Sequence, residues 1–582
     1  MLPNLTAIPQ NTQKVLSDNL FLIPPYQRPY SWGDKDECEI LWNDLYERFS
    51  STPDVLYFLG SIVLAEDEDK VSVEDGEDEK QEDKKFGGKR FMVVIDGQQR
   101  LITLAILVRV FYNCNVGLSA LKDCLYRYDR WDESKLGNKM KSDVLGGTES
   151  IMLSDVLDEE AGKVAMSAGD NNYARTYRLF SVKTSEVKCK ENLRKFIDYV
   201  LDKVYLLPIV CPSRDDALTI FETINNRGLD LSPADIFKAI LYKKAGNDAD
   251  DFIGSWDKLV SGLSEESKSK ELTVTDLFRM YMFLLRAEHE DTGKVFGVRE
   301  FFDKGITSNG QKNGKPEYML KNQNWRNVIS SLERLKEAEQ LLTGDKYPHI
   351  KQWYDTLACY DRKEVTIPAI ICVYICLEQL NLNGDEVWII SSGNEKFCEM
   401  FVKGLVRYVY AKGFGGITVG GKSVTDAMLM AAVAAVKKEK FSLEFNFGED
   451  FWQRLDGTLS PKFRRGFCMI LELINSQYTM THLKGDVEHI LPKKWDNDWY
   501  DKWNKEEVSK VMDTLGNLVL LEKSINIKGG NSFFNEKKKQ YKNSAFAEAK
   551  ALCTIDTWIY EEYKKRHDLA KERLCKFMQG EL

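Results

Sequence analysis

Residues 487–495 read VEHILPKKW, which puts His489 directly after Glu488 and before an apolar residue. Histidine is the side chain that most readily changes protonation near neutral pH. A carboxylate beside it can hold a hard cation. Phosphodiester hydrolysis uses both functions: a base activates water, and a divalent cation stabilises charge on the leaving oxygen. The chain has five histidines. The other four (His289, His349, His482 and His567) have no comparable neighbours and read as structural or surface residues.

Two downstream pieces give His489 its company. LGNLVLLEKSINIKGGN (515–531) predicts a second strand followed by a turn, and SFFNEKKKQYKNSAF (532–546) predicts a helix. A lone Glu-His pair is common and usually structural. Strand, strand and helix in that order can bring the histidine, the glutamate and a carboxamide to one place.

The succession EHILP, GNL and SIN resembles the C-terminal nuclease domain of the GmrSD-like type IV, modification-dependent restriction endonucleases. That resemblance implies a ββα-metal fold of the HNH (His-Me finger) kind. It implies His489 as general base, with Asn517 orienting it. Glu488 and Asn526 would be the ligands of Mg2+ or another divalent cation, and Lys537 would contact phosphate. Glu488 stands where many HNH sites carry an aspartate. The basic clusters 493–494, 537–539 and 564–566 are further candidates for phosphate contact, or simply solvated helix faces.

A second constellation lies in PPYQRPYSW (24–32), IDGQQR (95–100) and FETINNRGLDLS (221–232). In IDGQQR a buried strand ends in Asp-Gly and a helix begins with Gln-Gln-Arg. The unpaired N–H groups of a helix start favour an anion, and an arginine can bind phosphate with two donors. A glycine permits the tight turn. The competing reading is a buried Asp96–Arg100 pair that supports the turn. These motifs resemble the ParB-like N-terminal domain of the same enzymes, which binds and hydrolyses nucleoside triphosphate (NTP). The resemblance implies a nucleotide site of Tyr26, Gln27, Arg28, Asp96, Gly97, Gln98, Gln99 and Arg100, with Asn225, Arg227 and Gly228 at its rim. GITVGGKS (416–423) matches the Walker A pattern in letters. Its preceding segment has helical rather than strand periodicity, and a P-loop needs a strand there, so a Gly-rich interhelical loop is expected.

The elements that must carry these groups read as α+β and multidomain. Residues 1–245 predict a ParB-like α/β domain that binds NTP and senses DNA. Residues 246–444 predict a helical connecting region, and residues 445–582 an HNH-type nuclease domain. Strands are expected at LFLIPPYQRPYSW, YFLGSIVLAE, RFMVVI and VYLLPIVC, and a central, nearly all-apolar helix over 101–112. The acidic stretch 66–90 cannot bury apolar surface and predicts a solvated loop within a hairpin.

Net charge is −9, so nucleic-acid contact has to come from local patches. No run of about 18 apolar residues and no leader-like N-terminus is present, and the 12 cysteines have no CxxC spacing. A cytoplasmic protein with reduced thiols is expected. The functional expectation is an NTP-dependent endonuclease acting on modified phage DNA in anti-phage defence. A single HNH site cuts one strand at a time, so a double-strand break needs a homo-oligomer or repeated nicking. The alternative is an NTP-switched DNA-binding regulatory protein whose nuclease domain is inactive or RNA-directed.

Overall fold

The computed structural model describes residues 6–581 except 67–90, 115–118, 130–131, 133, 145–147, 159–170, 188, 214–216, 218–219, 221–232, 265–271, 293–296, 306–314, 361–362, 383–384, 416–423, 442–448, 476–484, 495–502 and 533. The chain is mixed α/β and mostly helical, and it divides into two compact units, residues 1–261 and 262–582.

The first unit is built on a sheet whose main strands are β1 (Leu20–Ile23), β2 (Tyr57–Glu66), β3 (Phe91–Asp96), β4 (Met140–Ser142) and β5 (Val204–Cys211). Their order is β5-β2-β3-β1-β4, and two short strands, Thr6–Ala7 and Gln10–Asn11, pair with β5. β2 and β3 are antiparallel neighbours, so residues 67–90 fall between two hydrogen-bonded strands. The other main pairings are parallel. Sequence periodicity did not anticipate β4, because its three residues are too few to establish an alternation.

Strand side chains alternate between faces, and the core follows that period of two. Phe21, Ile62, Leu64 and Val94 belong to one buried cluster, while Leu22, Val63, Ala65, Val93 and Ile95 belong to the other. The larger cluster surrounds helix α1 (Gln98–Asn113), which is buried from Leu101 to Phe111 on every face. A helix that is apolar all round must be covered all round. Further cover comes from α2 (Asn172–Ser185) and α3 (Lys190–Asp202). The Phe196 ring on α3 lies 5.2 Å from Trp42, 5.3 Å from Tyr46, 5.3 Å from Phe49 and 5.9 Å from Phe111.

The second unit is a helical assembly with two short two-stranded sheets. The helical stretch expected from the sequence contains a hairpin, β6 (Leu377–Leu382) with β7 (Asp385–Ile390). The Walker-like segment 416–423 itself lies outside the described residues. It is flanked by α4 (Glu395–Gly415) before and α5 (Val424–Val436) after, so no strand leads into it, as a P-loop requires. Near the C-terminus come α6 (Pro461–Leu473), β8 (Asp486–His489), β9 (Leu518–Leu521), α7 (Lys523–Gly529), α8 (Phe534–Tyr541) and α9 (Tyr560–Gln579). The SIN segment, expected in a turn, lies on α7. Among the described residues no helix is long and apolar enough to cross a membrane.

Phe196 is fully buried among four aromatic rings. Phe196→Ala is expected to cost about 3–5 kcal/mol, read as a lower urea midpoint for the first unit. An unchanged midpoint would show that the ring cluster is not a core.

Candidate functional site

In the second unit, β8 and β9 run antiparallel, with Glu488 opposite Val519 and His489 opposite Leu518. The pairing stops at His489 because the chain turns there. Ile490 N–H donates to the Asn517 carbonyl at 2.9 Å, and the fully buried Asn517 side chain then takes over. Its Oδ1 accepts from Leu491 N–H at 2.7 Å, while Nδ2 donates to the carbonyls of Leu491 at 3.2 Å and Met512 at 3.0 Å. The Asn517 side chain therefore pins the backbone at Leu491 and Met512. It is not bonded to the imidazole.

The turn that carries Asn517 is held by one face of α9. Tyr563 Oη meets Thr514 Oγ1 at 2.9 Å, Arg566 Nη1 donates to the Gly516 carbonyl at 2.7 Å, and Gly516 N–H donates to His567 Nδ1 at 3.1 Å. A Cβ on Gly516 would lie 2.6 Å from the Cβ of His567. That close approach explains the glycine of the GNL motif. It also gives His567, buried at this contact, its structural role.

The His489 ring is mostly buried, and its Nε2 lies 2.8 Å from Asp513 Oδ1. Arg464 Nη1 reaches the same oxygen at 2.8 Å. Burial lowers the pKa of His489 more than Asp513 raises it, so the neutral imidazole is favoured. Asp513 and Arg464 were not singled out from the sequence. No motif surrounds them, and only the acidic type of residue 513, four positions before Asn517, hinted at it.

Glu488 points into the unit with about 6% of its surface exposed. Its Oε1 accepts from Lys537 Nζ at 2.6 Å and Tyr541 Oη at 3.2 Å, and Lys537 also donates to the His489 carbonyl at 2.7 Å. Lys537, expected at a phosphate, is almost fully buried, and desolvation lowers its pKa. It pairs with Glu488 and pins the end of β8.

No described oxygen or nitrogen bonds Glu488 Oε2. Helix α7, which carries the half-buried Asn526, packs on β8. The described residues contain no group of three or more His, Cys, Asp or Glu able to cage a metal. One carboxylate oxygen and one carboxamide suit Mg2+, which keeps most of its waters and shares substrate phosphates.

In the first unit the two sequence motifs meet. Gly97 adopts φ +89, and a Cβ there would lie 2.5 Å from Ile62 Cγ2, so β3 can pass into α1 only through glycine. Gln27 Nε2 donates to the Ile95 carbonyl at 2.8 Å, and Gln98 Nε2 donates to the Arg28 carbonyl at 2.6 Å. Gln99 Oε1 accepts from Ser31 N–H at 2.9 Å. Arg100 bonds the Ser61 carbonyl, and its Nη2 lies 3.8 Å from Asp96. The three glutamines thus clamp residues 24–32 onto the strand end, while Arg100 ties the helix start to β2.

Three features are left over for a ligand. Among the described residues the α1 N-terminus has no side-chain cap and the buried Gln98 Oε1 meets no hydrogen-bond partner, and the Arg28 side chain is exposed. Burial raises the pKa of Asp96, against the pull of Arg100 and Arg28. The Tyr26 ring packs 5.1 Å from Tyr242. Asn225, Arg227 and Gly228 lie outside the described residues.

Asn517→Ala is expected to lose on the order of 2–4 kcal/mol, because it strands buried backbone groups. His489→Ala loses about 1 kcal/mol. Thermal melts of the two variants check this order. The reverse order would contradict the role given to Asn517.

Two family models match the chain. The GmrSD restriction endonuclease N-terminal domain matches residues 11–242, and the GmrSD restriction endonucleases C-terminal domain matches residues 447–571. No curated protein matches it. The first match contains the clamped Gln-Gln-Arg turn, and the second contains His489 with its Asp513, Asn517 and Glu488 neighbours. Together the two matches span more than half of the chain, in the order the family name implies, and the chain belongs to the GmrSD restriction endonuclease family.

Proposed function

We propose that this chain is an NTP-dependent, modification-dependent DNA endonuclease of anti-phage defence. In this reading a ParB-like domain over residues 1–245 binds nucleotide and senses DNA. A helical region over 246–444 connects it to an HNH-type nuclease domain over 445–582. The observation that carries the reading is the state of His489. One ring nitrogen is held by Asp513, and no described residue bonds the other. A mostly buried imidazole favoured in its neutral form is suited to take a proton from water.

A water O–H bond breaks and the proton passes to the His489 ring. The water oxygen forms a bond to phosphorus as the P–O bond to the leaving oxygen breaks. That oxygen then collects a proton from solvent. Lys537 and Tyr541 keep Glu488 in place, and Asn517 keeps the backbone after His489 from moving under the substrate. A divalent cation held by Glu488 and Asn526, when bound, supplies charge stabilisation at the leaving oxygen. Exposed lysines, rather than Lys537, meet the DNA backbone.

The nucleotide belongs at the uncapped start of α1. There the helix N–H groups and Arg28 favour phosphate oxygens, and the unpaired Gln98 Oε1 accepts a ligand N–H or O–H.

Wild-type protein with Mg2+ and NTP is expected to nick or cut modified plasmid, and His489→Ala to lose that activity by at least about 100-fold. Equal inertness of both proteins on modified and unmodified DNA would falsify the nuclease reading. For the nucleotide site, Arg28→Ala is expected to weaken NTP binding about tenfold or more without changing the melting temperature, since no described residue bonds its side chain. Lys422→Ala is expected to bind as wild type. Equilibrium dialysis with labelled NTP measures both, and loss of binding only in Lys422→Ala would move the site to the Walker-like segment.

A further inference from the structure

Asp513 reaches the site from the segment before the LGN turn, and its place is fixed twice. Its backbone carbonyl accepts from Leu459 N–H at 2.9 Å. Its Oδ1 is held by Arg464, whose own Nε donates to the Leu459 carbonyl at 2.6 Å. Arg464 lies on α6, which packs on both β8 and β9. The carboxylate is thus locked to the element that supports the strand carrying His489. A surface ion pair between two mobile side chains would show none of this anchoring and would contribute little.

The chemistry follows from donor and acceptor capacity. A carboxylate bonded by a guanidinium can only accept from a second neighbour. The 2.8 Å contact with His489 Nε2 therefore requires the proton to be on Nε2. In a neutral imidazole the other nitrogen, Nδ1, then carries the lone pair. No described residue bonds Nδ1.

We infer that Asp513, anchored by Arg464, is a positioning residue that fixes His489 in the Nε2–H tautomer and so makes Nδ1 the atom that takes the proton from water. When Nδ1 gains that proton the ring becomes an imidazolium, and its Nε2–H bond to the Asp513 carboxylate then joins two opposite charges and strengthens. The inference rests on the reading of His489 as general base.

The test uses the full-length protein labelled with [15N]histidine. Only five histidines contribute signals, and His489→Ala identifies the one that matters. Wild type is expected to show His489 as the Nε2–H form. In Asp513→Ala no acceptor faces Nε2, and the ring is expected to lose the single Nε2–H form and show a mixture of both tautomers. In single-turnover DNA cleavage that variant is expected to fall about 100- to 10,000-fold in rate at saturating DNA, with DNA affinity unchanged. Asp513→Glu keeps an acceptor and is expected to retain the tautomer and part of the rate. It serves as the second variant should the alanine protein melt early.

An Asp513→Ala protein that keeps the single Nε2–H form, or cuts as fast as wild type, overturns the inference while leaving the nuclease reading in place. Wild type that is inert on every DNA, even with the tautomer shift as expected, overturns the nuclease reading and the catalytic role of Asp513 with it.

Discussion

The second unit depends on one buried carboxamide. Asn517 has no exposed surface, and three hydrogen bonds tie it to Leu491 and Met512. Those residues flank the site: Leu491 follows His489 by two positions, and Met512 precedes Asp513. Holding both ends at once brings a histidine and an aspartate 24 residues apart to 2.8 Å. An unpaired amide here would cost a buried donor and a buried acceptor together, so the geometry has little freedom to drift. The α9 face of Tyr563, Arg566 and His567 supports the turn from behind, and Gly516 lets it approach.

Charge around His489 is distributed in the same economical way. Both nearby carboxylates are paired with a cation of the chain, Glu488 with Lys537 and Asp513 with Arg464. The first pair is almost wholly buried and also holds the His489 carbonyl, so it fixes where the strand ends. The second is more exposed and faces the imidazole. One carboxylate thus sets the backbone at His489 and the other sets the ring.

How much of this could be read from the sequence depends on range. His489, Glu488, the GNL turn and the strand pair were legible because their signals are local: apolar alternation, a glycine and an asparagine at fixed spacing. Asp513, Arg464 and His567 were not, because their partners come from segments with no motif of their own. The burial of Lys537 was hidden for a different reason. KKK looks like a solvated cluster in one dimension, but on α8 the residues Phe534, Lys537 and Tyr541 fall on one face, and that face is buried. In the first unit the turn at Gly97 and the meeting of residues 24–32 with 95–100 were legible. That Gln27, Gln99 and Arg100 would bond backbone groups was not, since glutamine and arginine donors look alike whether they face a ligand or a carbonyl.

The central claim is that His489 activates water for direct attack on phosphorus. Isotope incorporation tests it most directly. A single turnover on modified DNA in H218O should place one 18O atom in the terminal phosphate at each cut, with no protein bound to the DNA ends. A terminal phosphate without 18O, or a DNA strand covalently attached to His489, would contradict the account.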